Sequence, residues 1–201
     1  MTSYKLYYFN ARGAVEPIRI IFAQADVNYE DIRFEGEDWT HKFKPDTPFG
    51  RVPVLEVDGI KLAGMVNILR YLGVKFGMAG KDELANAVLG GASDYISDIA
   101  AILSKMFFSK DDEKAKMIPE FQEKTAPTML NILQKHIKSG HFIGSDTLSW
   151  VDIHAFCICD NMTRYFGIKL ADYPELQKLC DGVAAQPNIK KWLETRPDTH
   201  H

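Results

Sequence analysis

Residues Gly50 to Leu72 read GRVPVLEVDGIKLAGMVNILRYL: a strand-like VPVLEV, the dipeptide Asp58-Gly59, a second strand-like IKLA and then MVNILRYL. Asp-Gly between two apolar runs favours a type I′ hairpin turn. Met65, Leu69 and Leu72 recur at helical spacing, so the stretch is a ββα unit. Pro53 has no N–H to give to a ladder and belongs at the first residue or the edge of its strand. A cis Val52-Pro53 bond would turn the chain sharply and leave the Val52 N–H and C=O facing outward, able to pair with an extended peptide as another strand would. A trans proline on a solvent-facing edge is the alternative, and the residues by themselves favour it, because only about 5% of X-Pro bonds in folded proteins are cis.

Toward the N-terminus, YKLYYF (4–9) reads as a strand, AVEPIRIIFAQA (14–25) as a helix with Pro17 in its first turn, and NYEDIRF (28–34) as a second strand. An irregular, polar link through Trp39 and Pro48 joins this βαβ unit to the ββα unit. Beyond Gly80 strand signals fade and the 3.6-residue period takes over, in residues 84–108 and 115–137. The expected architecture is therefore an α/β lobe over 1–79 followed by an all-helical lobe over 80–201. In LSWVDI, Ser149 with Asp152 three residues on forms an Asp-variant capping box, and Leu148 and Ile153 are spaced as a hydrophobic staple. This is a folding signal and not a catalytic Ser/Asp pair.

The chain has 201 residues, 46% of them hydrophobic and 25% charged, with a net charge of -3. That is enough for one large or two small domains, with none of the clustered basic surface that nucleic acid or an anionic membrane would select. The opening MTSYKLYYFN lacks a secretory apolar core and no run of about 18 apolar residues is present, so the expectation is a cytoplasmic protein. Cys157, Cys159 and Cys180 are too few for a disulfide framework or a zinc site, and packing accounts for them. Asp198 to His201 reads as a polar tail.

Together YKLYYFNARG, Trp39, PFGRVPVLEVDG, LRYLGVKFGMAGKDE, LSWVD and IKKWLETRP resemble, in order and across the whole chain, the cytosolic glutathione transferases. The likeness is strongest to the sigma class, which includes haematopoietic prostaglandin D synthases and lens S-crystallins. The resemblance implies a thioredoxin-like N-terminal lobe, a helical C-terminal lobe, a homodimer and glutathione as co-substrate. It also implies that Val52-Pro53 is cis and that the Val52 backbone pairs with the cysteinyl unit of glutathione. Tyr8 matches the catalytic tyrosine. A thiol of pKa about 8.5 is only a few per cent ionised at pH 7, and lowering it by two units takes roughly 2.7 kcal/mol of selective anion stabilisation. A phenol O–H aimed at sulfur supplies part of that, and a following helix N-terminus adds its dipole. No cysteine lies in this segment, so the thiolate is that of glutathione.

By the same resemblance Phe9, Trp39, Lys44, Gly50, Arg51, Val52 and Pro53 line the glutathione site, Lys42 being the alternative to Lys44 in holding the glycine carboxylate. Asp98, one turn after Asp94 on the same helix face, corresponds to an acid that reaches the neighbouring subunit's glutathione. Read as residues alone, Tyr8 and Trp39 are packing aromatics, and the lysines, Arg51 and Asp98 are solvated charges.

Four departures stand out. Gly64-Met65 replaces a Gln/Glu-Ser pair that would hold the γ-glutamyl carboxylate, and each lost bond to a charged group is worth about 1.5–3 kcal/mol. Asn67 stands where a small apolar residue is usual. Ala14 replaces an arginine found near the tyrosine in some prostaglandin synthases. Ser97 beside Asp98 removes the second acid of a pair, so no metal is expected. The leading expectation is a transferase joining glutathione to small hydrophobic electrophiles, with weakened glutathione binding at Gly64 and Met65. The competing one is a non-enzymatic protein of the same fold, crystallin-like or a binder of apolar ligands. Leu103, Met106 and Phe107 are candidate walls for the electrophile, with core packing as the default.

Overall fold

A computed structural model describes residues 2–142 and 144–199, so His200 and His201 of the polar tail lie outside the described residues. The chain forms two compact units, one of residues up to Gly77 together with those from Gln186 onward, the other from Met78 to Ala185.

The first unit is a mixed four-stranded sheet with flanking helices. Strands β1 (Tyr4–Phe9), β2 (Glu30–Phe34), β3 (Val54–Val57) and β4 (Ile60–Ala63) lie in the order β2-β1-β3-β4. β1 runs parallel to β2 and antiparallel to β3, as a βαβ unit followed by a hairpin requires. The hairpin turns through Asp58 (φ 48°) and Gly59 (φ 86°), both left-handed as a type I′ turn demands. Helix α1 (Glu16–Ala25) has Pro17 in its first turn and buries Ile18, Ile20, Ile21 and Phe22 completely. The expected irregular link is instead helical: a short α2 (Gly36–Asp38), a π-helical turn at Trp39–Phe43 and a 3-10 turn at Lys44–Asp46. Aromatic anchoring explains this order, since the Phe34 ring stacks on Trp39 (5.6 Å) and on Phe43 (4.5 Å). Helix α3 (Met65–Lys75) closes this part of the unit.

In the second unit α4 (Glu83–Phe108) starts at Asp82, whose carboxylate accepts from Ala85 N–H at 2.8 Å. The periodic run at 115–137 is divided into α5 (Asp111–Glu120), a π-helical turn at Phe121–Thr125 and α6 (Ala126–Gln134). Pro119 and Pro127 flank that turn and withdraw two N–H groups from the helical ladder. A minimal hairpin, β5 (Ile137–Lys138) and β6 (His141–Phe142), turns through Ser139 and Gly140, both at positive φ. Helix α7 (Trp150–Phe166) packs against α4 and α8 (Pro174–Ala184), and is buried on nearly every side of its first half. Cys157, Cys159 and Cys180 are buried without a disulfide, and the neighbouring Cys159 together with burial pushes the Cys180 thiol up.

The last helix, α9 (Pro187–Thr195), falls in the expected 80–201 segment by sequence, yet it packs on α1 of the first unit. Its Ile189 is fully buried, and the Trp192 indole donates to the buried Glu16 carboxylate at 2.9 Å.

Candidate functional site

Register alone gathers the candidate residues. Tyr7 pairs with Val54, and Val54 with Ala63. The next residues at that end of the sheet are Tyr8 on β1, Pro53 before β3 and Gly64 after β4. One sheet end thus brings together the tyrosine, the proline corner and the start of α3.

Tyr8 sits half-buried where β1 ends. Its hydroxyl oxygen accepts the Ala14 backbone N–H at 3.2 Å, at the head of the helical turn that leads into α1. Gly13 makes this approach possible: it lies at φ +38°, and a Cβ there would fall 2.8 Å from the Tyr8 oxygen. Burial pushes the Tyr8 phenol up, against the opposing pull of the Ala14 bond and the Arg19 charge. The phenol therefore keeps its proton at neutral pH. With a lone pair taken by Ala14, the O–H remains to donate to an anion.

Phe9 meets Tyr8, Phe34 and Trp39 in edge-to-face contacts at 5.7, 5.1 and 5.6 Å, which joins three of the expected residues in one aromatic wall. The lysine alternatives separate. Lys42 lies over the Phe43 ring at 5.1 Å, whereas the Lys44 side chain runs beside Gly50, its Cε 3.8 Å from where a Gly50 Cβ would be. Lys44 and Arg51 are both exposed.

The Val52-Pro53 bond is cis, which corrects the trans geometry favoured by the residues alone and agrees with the resemblance. The surrounding fold decides an isomer that the dipeptide by itself leaves within about 1 kcal/mol. Among the described residues the Val52 backbone N–H and C=O have no hydrogen-bond partner. The Pro53 carbonyl accepts from Gly64 N–H at 3.4 Å and joins this corner to α3. Gly64, at φ 90°, caps α3 without a side-chain bond, and the N–H groups of Met65, Val66 and Asn67 likewise have no partner among the described residues. Three unpaired donors at a helix N-terminus form an anion site by geometry and dipole together.

Asp94 and Asp98 are exposed on α4. Leu103 and Met106 belong to the core of the helical unit, and Phe107 packs edge-on against Tyr165 at 5.7 Å. The Ser93 hydroxyl lies 3.0 Å from His154 Nδ1, but both are buried, and burial alone pushes the imidazole down to about 3. This pair is packing and not a nucleophile. Among the described residues no cluster of three or more His, Cys, Asp or Glu could hold a metal ion, and no helix is long and apolar enough to cross a membrane. Reading the residues missed the Gly13 and Ala14 backbone at Tyr8, which has no side-chain signature beyond a glycine just ahead of Pro17.

Two family descriptions match: the glutathione S-transferase N-terminal domain over residues 4–73 and the C-terminal domain over residues 97–196. Glutathione S-transferase 4 of Caenorhabditis elegans is 37% identical over 99% of both chains. Haematopoietic prostaglandin D synthase of Gallus gallus is 36% identical, again over 99% of each. The solved structure of a Fasciola hepatica sigma class GST superposes with a TM-score of 0.88 at 26% identity, covering 98% of each chain.

Proposed function

Because this chain belongs to the glutathione S-transferase family, in its sigma-class and haematopoietic prostaglandin D synthase-like branch, we propose that Tyr8 activates glutathione at the sheet end described above. The chain is a glutathione transferase, and glutathione is its co-substrate. The Tyr8 O–H donates to the glutathione sulfur and favours the thiolate, whose proton leaves to solvent. The thiolate then forms a C–S bond to a small hydrophobic electrophile: on an aryl halide the carbon–halogen bond breaks and halide leaves, and on an activated alkene the π pair shifts to the neighbouring carbon, which takes a proton from solvent. The Val52 N–H and C=O pair with the cysteinyl backbone, and Pro53 fixes that corner. Trp39, Lys44 and Arg51 hold the glycine end, Phe9 and Gly50 shape the wall, and the amides of Gly64 and Met65 face the γ-glutamyl carboxylate. Asp98 reaches the γ-glutamyl amine of a second copy's glutathione, so the working form is a homodimer in the cytoplasm. Residues 1–79 act as the glutathione-binding domain and 80–201 as the helical domain, with α9 returning to brace α1.

The observation that carries this reading is the Tyr8 hydroxyl, held by Ala14 N–H at 3.2 Å with its own proton retained. Retention on immobilised glutathione, with conjugation of an aryl halide compared between the protein and Tyr8→Phe, tests it. The expected loss in kcat is on the order of a hundredfold, as for removal of one donor from an anion-stabilising site. Equal conjugation by the phenylalanine variant removes Tyr8 from the mechanism. Gly64-Met65 bears on how tightly glutathione is held, and absence of binding at millimolar glutathione would overturn the assignment of this sheet end as its site.

A further inference from the structure

Behind Tyr8 lies a group of charges that the reaction just described does not use. Arg19, on α1, is 1% exposed and Glu16, one turn earlier, 5%. Arg19 Nη1 donates to the Ala11 carbonyl at 2.7 Å and lies 3.5 Å from Glu16 Oε2, while its Nε lies 3.1 Å from Asp31 on β2. Arg33 donates to the same Asp31 at 2.9 Å. The other Glu16 oxygen accepts from the Trp192 indole at 2.9 Å and from Arg196 at 3.0 Å, which ties in α9 and the residue after it. The nearby Tyr29 contributes no charge, because burial pushes its phenol up. A buried ion network is often no more stabilising than apolar side chains of equal volume, so stability alone need not account for this one.

Its position does. Ala11, which Arg19 grips, lies two residues before Gly13 in the bend that leads into the Gly13–Val15 turn, and that turn delivers the N–H that holds Tyr8. We infer that Arg19 is a positioning residue for thiolate formation: it fixes the Tyr8-bearing turn through the Ala11 carbonyl and supplies positive charge from behind, and Glu16 sets how much of that charge reaches the site. The inference rests on the transferase reading.

Two substitutions should act in opposite directions. Glu16→Gln removes a negative charge while keeping an amide oxygen for Trp192, so the acid limb of the kcat/KM profile for aryl halide conjugation should move to lower pH. Arg19→Met should move it to higher pH. Each shift is expected to be on the order of several tenths of a unit to one unit, as for a charge some ångströms away in a partly solvated site. Ultraviolet absorbance of the bound thiolate should follow the same shifts, with urea unfolding recorded alongside. A purely structural network would lower stability in both variants and leave the acid limb in place, and that result overturns the inference, as does movement of both limbs in one direction. If Arg19→Met does not fold, the direction of the Glu16→Gln shift decides alone. Failure of the underlying reading looks different: the unaltered protein would then show no thiolate absorbance with saturating glutathione.

Discussion

Two helix N-termini in this molecule are built in opposite ways. At α7 nearly every donor is consumed: Trp150 N–H goes to the Met78 carbonyl, Asp152 N–H to Ser149 Oγ, and Ile153 N–H to the Ser149 carbonyl. Asp152 reciprocates by accepting from Ser149 N–H at 2.8 Å, Phe142 N–H at 3.0 Å and His141 Nδ1 at 3.0 Å. At α3 the cap is a bare glycine and three N–H groups have no partner among the described residues. The closed terminus spends its polarity on the fold, whereas the open one leaves its donors unpaired among the described residues and, in the proposed function, available to glutathione. Substitution at the first should therefore change stability, and at the second binding.

The largest effect belongs to the closed end. Asp152→Ala leaves Phe142 N–H and Ser149 N–H without their acceptor inside the protein, at a cost of about 3–5 kcal/mol for breaking a buried, hydrogen-bonded charge. For a chain of this size that corresponds to a fall in Tm of roughly 10 °C or more. Thermal unfolding measures it, and a Tm within two or three degrees of the unaltered protein would break the contrast at once.

The same contrast explains what could be read from the sequence. A capping box and a type I′ Asp-Gly turn are contained in a few adjacent side chains, so LSWVDI and Asp58-Gly59 announced themselves. Ser139-Gly140 carries a comparable turn signal, but strands of two residues are too short to show a period, and the hairpin went unseen. The α2 region looked irregular because its helical turns are stabilised by rings from β1 and β2 and not by local propensity. At the site, Tyr8 and Pro53 were visible as residues, and the resemblance supplied their roles. The free Val52 backbone, the Ala14 donor and the Arg19 clamp depend on the meeting of distant segments, and no residue type marks them.

The open end can be tested without disturbing the helix. Met65 is the first helical residue of α3, where proline is tolerated because its missing N–H has no helical partner to lose. Met65→Pro should leave Tm nearly unchanged while weakening glutathione binding roughly tenfold or more, the value of one bond to a charged group. Calorimetric titration with glutathione reads the change. Unaltered affinity would mean that this amide does not face the ligand. Met65→Ser offers the opposite correction: a hydroxyl returned to the terminus should tighten binding by about tenfold at unchanged Tm.

Gly64 comes last, because its gain in binding is accompanied by a loss of stability. Its φ of 90° is open to glycine and costs other residues about 1–3 kcal/mol, although among the described residues nothing beyond its chain neighbours lies within 4 Å of the space a Cβ would take. Gly64→Gln should therefore lower Tm by a few degrees through backbone strain, while its amide adds a contact to the γ-glutamyl carboxylate worth up to about tenfold in affinity. Strain present in both free and bound states lowers stability without weakening binding, so the two readouts separate. Combined with Met65→Ser, the two gains should roughly multiply, since each side chain supplies its own bond to the carboxylate. A Gly64→Gln protein that is as stable as the original would show that the glycine does not relieve the α3 entry, and the bare terminus would then be a loss of ligand contacts with nothing gained for the fold.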